Sequence, residues 1–323
     1  MKAIVNTAPG KLEWRDLPMP APRAGEVRIR TGACGVCATD LAMIAGWERT
    51  GFPAIPGHEW SGVVDAVGRG VSKSLVGNRC VAENVLSRGG EVGFERPGGY
   101  AEYFVTEASR LRLLPGDFPF ATAALVEPLA VCVRGMARLK PDDHSTALVF
   151  GDGPIGLLTA MLLGRAGVKS IVLAGGRPER LALARELGIS RTVNYHKTRD
   201  LAAALRRSMR GGFANVVEAS GSARAMEVSF EVARPGAKVL VLGDYATSRA
   251  SFLWNHLLWR EFELIGSNAR AGAWDESVRI ALDGRIPLAR LISHRIPATQ
   301  FADAIDLMRT RARGVVKIIL EWA

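Results

Sequence analysis

The sequence predicts two domains of different class, an all-β, barrel-like unit and an α/β unit built on a doubly wound parallel sheet. Three observations predict it. The chain has 323 residues, 48% hydrophobic and 23% charged, which is enough to build two buried cores and rules out disordered and fibrous classes. Its first hundred or so residues run as short alternating segments punctuated by Gly and Pro. From about Thr146 that texture gives way to short apolar runs alternating with helix-like stretches.

The elements follow in order. Val27 to Arg30, Gly62 to Val67 and Tyr100 to Val105 alternate apolar and polar positions, as half-buried strands do. Ala147 to Phe150, Ser170 to Ala174, Asn215 to Glu218 and Lys238 to Leu242 are apolar runs of buried-strand length. Between them lie the helical patterns Pro154 to Gly164, Glu179 to Leu187 and Leu201 to Met209. A helix over Trp274 to Leu282, a strand over Ile292 to Ile296 and a helix over Phe301 to Arg309 come next. The last strand, Val315 to Leu320, is placed to return to the first domain. No run of about 18 apolar residues appears, and the start lacks a signal-peptide pattern, so the expected location is the cytoplasm, with no membrane contact. Four cysteines, at 34, 37, 80 and 132, are too few for a disulfide framework, and Cys34-Gly35-Val36-Cys37 suits a metal or redox role in a reducing compartment.

A formal charge of +10 raises the question of an anionic partner. The basic residues, among them Arg180, Arg185, Arg206 and Arg207, are scattered along helical segments without interleaved aromatics. A solvated arginine-rich surface is the expected reading, with no nucleic acid.

Directly after the strand Ala147 to Phe150 stands Gly151-Asp152-Gly153-Pro154-Ile155-Gly156, followed by an apolar helix. This G-x-G-x-x-G run has the strand, turn and helix context that the Rossmann dinucleotide site requires. Gly151 permits the turn, Gly153 lets the backbone approach a pyrophosphate, Gly156 lets helix pack on strand, and Pro154 and Ile155 open the helix whose N-terminus attracts phosphate. The next strand should end on an acid that holds the ribose of NAD, but Gly175 stands there, followed by Gly176 and Arg177, with Arg180 close behind. A missing carboxylate and available guanidinium groups favour NADP; Glu179 serving the ribose, with both arginines solvated, is the alternative.

In the first domain, Cys37-Ala38-Thr39-Asp40 is followed by Gly57-His58-Glu59. A thiolate, an imidazole and a carboxylate are the S, N and O ligands that zinc takes, and they lie in the domain that precedes a dinucleotide fold. With the order C-x-T-D, G-H-E, Glu127-Pro128-Leu129-Ala130 and G-x-G-P-I-G, the whole chain resembles the medium-chain zinc-dependent alcohol dehydrogenases, in their polyol and sorbitol dehydrogenase branch. Gly99 to Tyr103, Glu218-Ala219-Ser220-Gly221 and Gly314 to Leu320 add to the match. The resemblance implies a GroES-like β-barrel catalytic domain of residues 1–128 and 270–323 around a Rossmann domain of residues 129–269. It implies Cys37, His58 and Glu127 as ligands of one catalytic zinc, with Glu59 a ligand or an exchanging carboxylate. It also implies Thr39 as the hydroxyl that takes the substrate proton, and Ser220 and Gly243 among the cofactor-binding positions. The implied reaction is hydride transfer between a secondary alcohol and NAD(P), the metal acting as Lewis acid.

Two departures stand out. Many relatives carry a His five residues after the ligand Cys, where this chain has Ala42, and relatives with a structural zinc insert four Cys where this chain runs from Glu83 to Gly98 without one. The chain is also similar to cyclitol and amino-sugar dehydrogenases of aminoglycoside biosynthesis, so a polyhydroxylated ring is the expected substrate. Trp47, Phe52 and Trp60 are candidate pocket walls, and Glu48, Glu59 and Glu127 are the acids that would meet an amino group. A homo-oligomer is expected from the family. The competing readings are a zinc-independent quinone or enone reductase and a non-catalytic member of the fold.

Overall fold

The computed structural model describes every residue except Glu48, His144, 269–271 and Ala323. The chain divides into two compact units, Met1–Glu127 with Trp274–Ala323, and Pro128–Ala273. The expected boundary between 269 and 270 falls outside the described residues.

The first unit opens with an antiparallel hairpin of β1 (Lys2–Ala8) and β2 (Lys11–Asp16). The long β3 (Glu26–Val36) follows, and β4 (Glu59–Val67), β5 (Arg79–Ala82), β6 (Tyr103–Glu107) and β7 (Leu111–Leu114) build an antiparallel sheet with it. Alternation sends Val27 and Ile29 into a core with Ile4, Trp60 and Phe104, while Arg28 points away and bonds Asp65 at 2.6 Å. β6 begins at Tyr103 and not at Tyr100, because the backbone at Tyr100 and Ala101 is taken by β1, through Ile4 N–H and the Ala3 to Ala101 bridge. Helix α1 (Ala38–Ala45) starts directly after β3, then come α2 (Phe120–Ala123) and α3 (Val126–Leu139). The combined stretch Phe120–Leu139 is long and apolar enough to cross a membrane by length and composition, yet 61% of its most apolar window is buried inside the protein.

In the second unit β8 (Thr146–Phe150), α4 (Pro154–Arg165), β9 (Ser170–Gly175), α5 (Pro178–Glu186), β10 (Arg191–Asn194), α6 (Leu201–Ser208), β11 (Phe213–Glu218), α7 (Ala223–Val232), β12 (Ala233–Val241), α8 (Asn255–Arg260) and β13 (Glu263–Gly266) alternate. All six strands are parallel, in the order β10-β9-β8-β11-β12-β13, which reverses direction between β8 and β11. That reversal marks the place where doubly wound sheets take their ligands.

The chain then re-enters the first unit through α9 (Trp274–Asp283), β14 (Ile292–Pro297), α10 (Phe301–Arg309) and β15 (Lys317–Glu321). β15 pairs antiparallel with β3, Ile318 opposite Val36 and Leu320 opposite Cys34. The last strand therefore lies beside the residues that lead into Cys37. It begins at Lys317, two residues later than expected, after a turn in which Val315 N–H bonds Ala312 O.

Candidate active site

Cys37 sits at the joint between β3 and α1 as the helix N-cap, and Asp40 three residues on accepts the Cys37 N–H at 2.8 Å. This reciprocal cap fixes the thiol at the helix start. His58 and Glu59 enter from the start of β4, where Gly57, at φ +100, has a conformation that a side chain would strain and a space already filled by Tyr100 and Cys34. Side-chain ligand atoms of Cys37, His58 and Glu59 all lie within 4.8 Å of one another, a spacing that one cation can bridge.

Asp40 is fully buried and was not assigned a role from sequence. Its Oδ1 faces His58 Nδ1 at 3.3 Å, and neither atom has another partner among the described residues. Tyr100 Oη donates to the other oxygen at 3.2 Å. A carboxylate on one imidazole nitrogen, leaving the second for a metal, is the usual support of a ligating histidine. Burial alone would lower the His58 imidazole, but Asp40 and then Cys37 lift it well above its ordinary value in the metal-free molecule.

Glu59 lies across β3, over Gly35, where a Cβ would collide with it, and reaches Lys317 on β15. Lys317 Nζ donates to both carboxylate oxygens, at 2.7 and 2.6 Å, and to Val36 O at 3.3 Å. Burial would depress this ammonium, but Glu59, with help from Cys37 and Glu127, raises it above its usual value. Glu127, on the first turn of α3, has no ion pair among the described residues. Burial pushes its carboxyl up to about 7, although the His58 charge pulls the other way. An acid whose carboxyl is raised in this way is one that a divalent cation would ionise. The donor set that the structure brings together, Cys37, His58 and Glu59, fits zinc, with Glu59 already engaged by Lys317; Glu127, expected from the resemblance as a ligand, is not part of that cluster.

Thr39 Oγ1 lies 3.5 Å from Cys37 Sγ on the exposed side of α1, and Ala42 further along the helix is exposed. The wall over His58 is aromatic. Phe94 packs on its ring at 4.8 Å and Trp47 on Phe94 at 6.4 Å, and Arg49 lies over both rings and pairs with Glu91 and Glu95. Phe94 comes from the cysteine-free segment Glu83 to Gly98, and no sequence signal singled it out. Trp47 and Phe52 are partly exposed, at 36% and 38%, as wall residues can be. Trp60 corrects an expectation: its side chain faces away from Glu59 into the core, T-stacked on Phe104 and donating to Asn84 Oδ1 at 2.9 Å. Glu48 lies outside the described residues. Cys34 and Cys80 are buried, their thiols pushed up by burial, Cys80 to about 12, so the C-x-x-C contributes one cysteine to the cluster.

In the second unit, Gly151 at φ +111 makes the turn after β8, and Pro154 opens α4. A Cβ on Gly156 would collide with Gly151 O, so the third glycine is required by close helix packing. Asp152 between the first two glycines is buried. Its Oδ2 accepts Gly176 N–H at 2.8 Å and Arg177 N–H at 2.7 Å, and its Oδ1 lies 3.5 Å from the Arg177 guanidinium and 3.6 Å from that of Arg180. Tyr195 and His196, after β10, flank Gly176 so closely that a Cβ there would clash. At the ends of β11 and β12, Ser220 and Gly243 surround the buried Glu218, which accepts from Ser220 N–H at 2.8 Å and Gly221 N–H at 3.1 Å. Asp152 and Glu218 both stand inside motifs quoted from the sequence, but the motifs give neither a role.

Comparison with known proteins bears on this geometry. Residues 23–116 match the family model for the alcohol dehydrogenase GroES-like domain, and residues 154–283 that for zinc-binding dehydrogenases. The chain is 31% identical to an L-threonine 3-dehydrogenase of Anaeromyxobacter sp. (strain Fw109-5), over 100% of this chain and 99% of that protein. It is 32% identical to the D-altritol 5-dehydrogenase of Agrobacterium fabrum, over 93% of this chain and 94% of that protein. Among solved structures, an alcohol dehydrogenase of Escherichia coli CFT073 complexed with NADH superposes with a TM-score of 0.93 at 26% identity, over 99% of both chains. A zinc-binding dehydrogenase of Sinorhizobium meliloti 1021 bound to NADP gives 0.91 at 26% identity, over 99% of this chain and 98% of that one.

Proposed function

Because the chain belongs to the medium-chain zinc-dependent alcohol dehydrogenases, in their polyol branch, and is an NAD(P)-dependent enzyme of CH–OH groups, we propose that it oxidises a secondary alcohol on a polyol, cyclitol or amino-sugar, with one zinc ion and with NADP. The observation that carries the reading is the cluster of Cys37, His58 and Glu59 with Asp40 behind the histidine.

Zinc held by Cys37 and His58, with Glu59 or Glu127 as the acidic ligand, would supply Lewis acidity to the substrate alcohol, and the nicotinamide would accept hydride. The chain does the rest. Asp40 holds the His58 ring by its Nδ1 side. Lys317 donates to both Glu59 oxygens and holds this carboxylate over Gly35. Thr39, partly exposed beside Cys37 Sγ, takes the alcohol proton and passes it to water directly, so the histidine absent at Ala42 is not needed. Phe94 and Trp47 exclude water and offer flat faces to the apolar side of a ring.

NADP is favoured by the paired Arg177 and Arg180 and by the absence of an acid at Gly175. The likeness to one NADH-bound and one NADP-bound structure at equal identity leaves this to the residues. We place the protein in the cytoplasm, where its four free cysteines stay reduced, and as a homo-oligomer, supported by Leu253, Trp254, Leu258 and Trp259, each about 70% exposed around α8. The test is a screen of cyclitols, amino-sugars and linear polyols with NADP and NAD. Turnover of a polyhydroxylated substrate with NADP is the expected result; activity confined to enones or quinones would overturn the reading.

A further inference from the structure

The space at the end of β9, where a ribose-binding acid is expected and Gly175 stands, is filled by Asp152. A Cβ built on Gly175 would lie 2.6 Å from Asp152 Cβ and 2.7 Å from its Oδ2, so Asp152 fills the space that an acid at 175 would need. The Asp152 side chain is also engaged on both oxygens. One oxygen takes the two backbone N–H groups at Gly176 and Arg177, and the other faces two guanidinium groups. Its side chain is 6% exposed, against 33% for Arg177 and 11% for Arg180.

The arginines are drawn together by this one carboxylate. Arg180 Nη1 lies 3.7 Å from where a Cβ on Gly153 would stand, so its guanidinium rests against the phosphate-binding turn. Burial and the Arg177 charge lower the Arg180 pKa, as expected for two cations sharing one anion. Two positive charges against one negative leave a net positive site, bordered by Tyr195 and His196, where the second phosphate of NADP would approach.

Resting on the NADP reading above, we infer that Asp152 is a positioning residue for cofactor choice. It occupies the place of the NAD-selecting acid, fastens the turn after β9 and sets Arg177 and Arg180 side by side toward a 2′-phosphate. A carboxylate that only repelled the phosphate would act in the opposite sense, so the two roles separate by experiment.

The experiment measures binding of NADPH and NADH to wild type, Asp152→Ala, Asp152→Asn and the exchange Asp152→Gly with Gly175→Asp, by calorimetry, with zinc content and circular dichroism as controls. Wild type should prefer NADPH. Asp152→Ala should reduce that preference roughly tenfold or more, the size expected for losing charge-assisted contacts. If the alanine variant does not fold, Asp152→Asn, which keeps an acceptor for the backbone N–H groups, carries the same expectation. The exchange variant, with room made for the strand-end acid, should prefer NADH. An unchanged or stronger NADPH preference in Asp152→Ala or Asp152→Asn, on a wild type that prefers NADPH, would overturn the positioning role alone. A wild type that prefers NADH would overturn the NADP reading, and this inference with it.

Discussion

Lys317 and Glu59 form an ion pair whose side chains are 5% and 3% exposed, so neither partner can be removed without leaving a charge stranded. Lys317→Met is expected to lower stability by about 3–5 kcal/mol, and Lys317→Arg by much less, as read by chemical denaturation. Glu127 sets a pH dependence of the metal-stripped protein. Its folded pKa, about 7, stands above the ordinary carboxyl value of 4.5, so the folded state binds the extra proton between these limits. Stability therefore falls as pH rises from 4.5 to 7, by on the order of 3 kcal/mol from this group. Glu127→Gln should flatten that slope, and a slope equal to wild type would show that Glu127 is not the group responsible. Sequence alone brought forward Cys37, His58 and Glu59, because their residue types and spacing are chemically telling, whereas Thr39 and Glu127 came from the family resemblance. Asp40, Phe94, Asp152 and Lys317 were silent, since their roles arise from three-dimensional neighbours on other strands. Trp60 misled because alternation on β4 turns it to the opposite face from Glu59.

At the scale of elements, the site depends on the β3 to α1 joint, the turn before β4 and the return of β15. Gly57→Ala meets both a left-handed backbone and the Tyr100 ring, and is expected to destabilise by more than about 1 kcal/mol and to weaken zinc retention under chelator challenge. Unchanged zinc retention would mean that the turn does not position His58. In the second unit β8, β9, β11, β12, α4, α5 and α6 were legible, within a residue or two at most ends, because buried parallel strands read as unbroken apolar runs between helical periods, whereas β10, α7, α8 and β13 were not read from the sequence. β5, β7 and α1 were not legible. The strands Arg79–Ala82 and Leu111–Leu114 are too short for a period, and α1, Ala38–Ala45, is only eight residues long.

For the whole molecule, a number of the basic residues stand in surface ion pairs with acids, and the formal surplus of +10 is what such pairing leaves over. Arg224, Arg279 and Arg309 pair with acids three residues away on their own helices, interactions of small individual worth. The exposed apolar run at Leu253, Trp254, Leu258 and Trp259 is of another kind, since it directly precedes β13 in the chain, a strand that among the described residues pairs only with β12. Light scattering is expected to show an oligomer, and Trp254→Glu with Trp259→Glu to give a monomer of unchanged secondary structure; a wild-type monomer at micromolar concentration would refute the homo-oligomer. The two-unit division was visible in the change of texture near Thr146, whereas the return of the C-terminal strand to β3 rested on one apolar segment. The central claim, a zinc-dependent alcohol oxidation centred on Cys37 and His58, is tested most directly by zinc content measured together with alcohol turnover in wild type and Cys37→Ser. One zinc per chain in wild type, with metal and turnover both lost in Cys37→Ser, is the expected result. Wild type without zinc at full turnover, or a Cys37→Ser variant that keeps full activity, would contradict it.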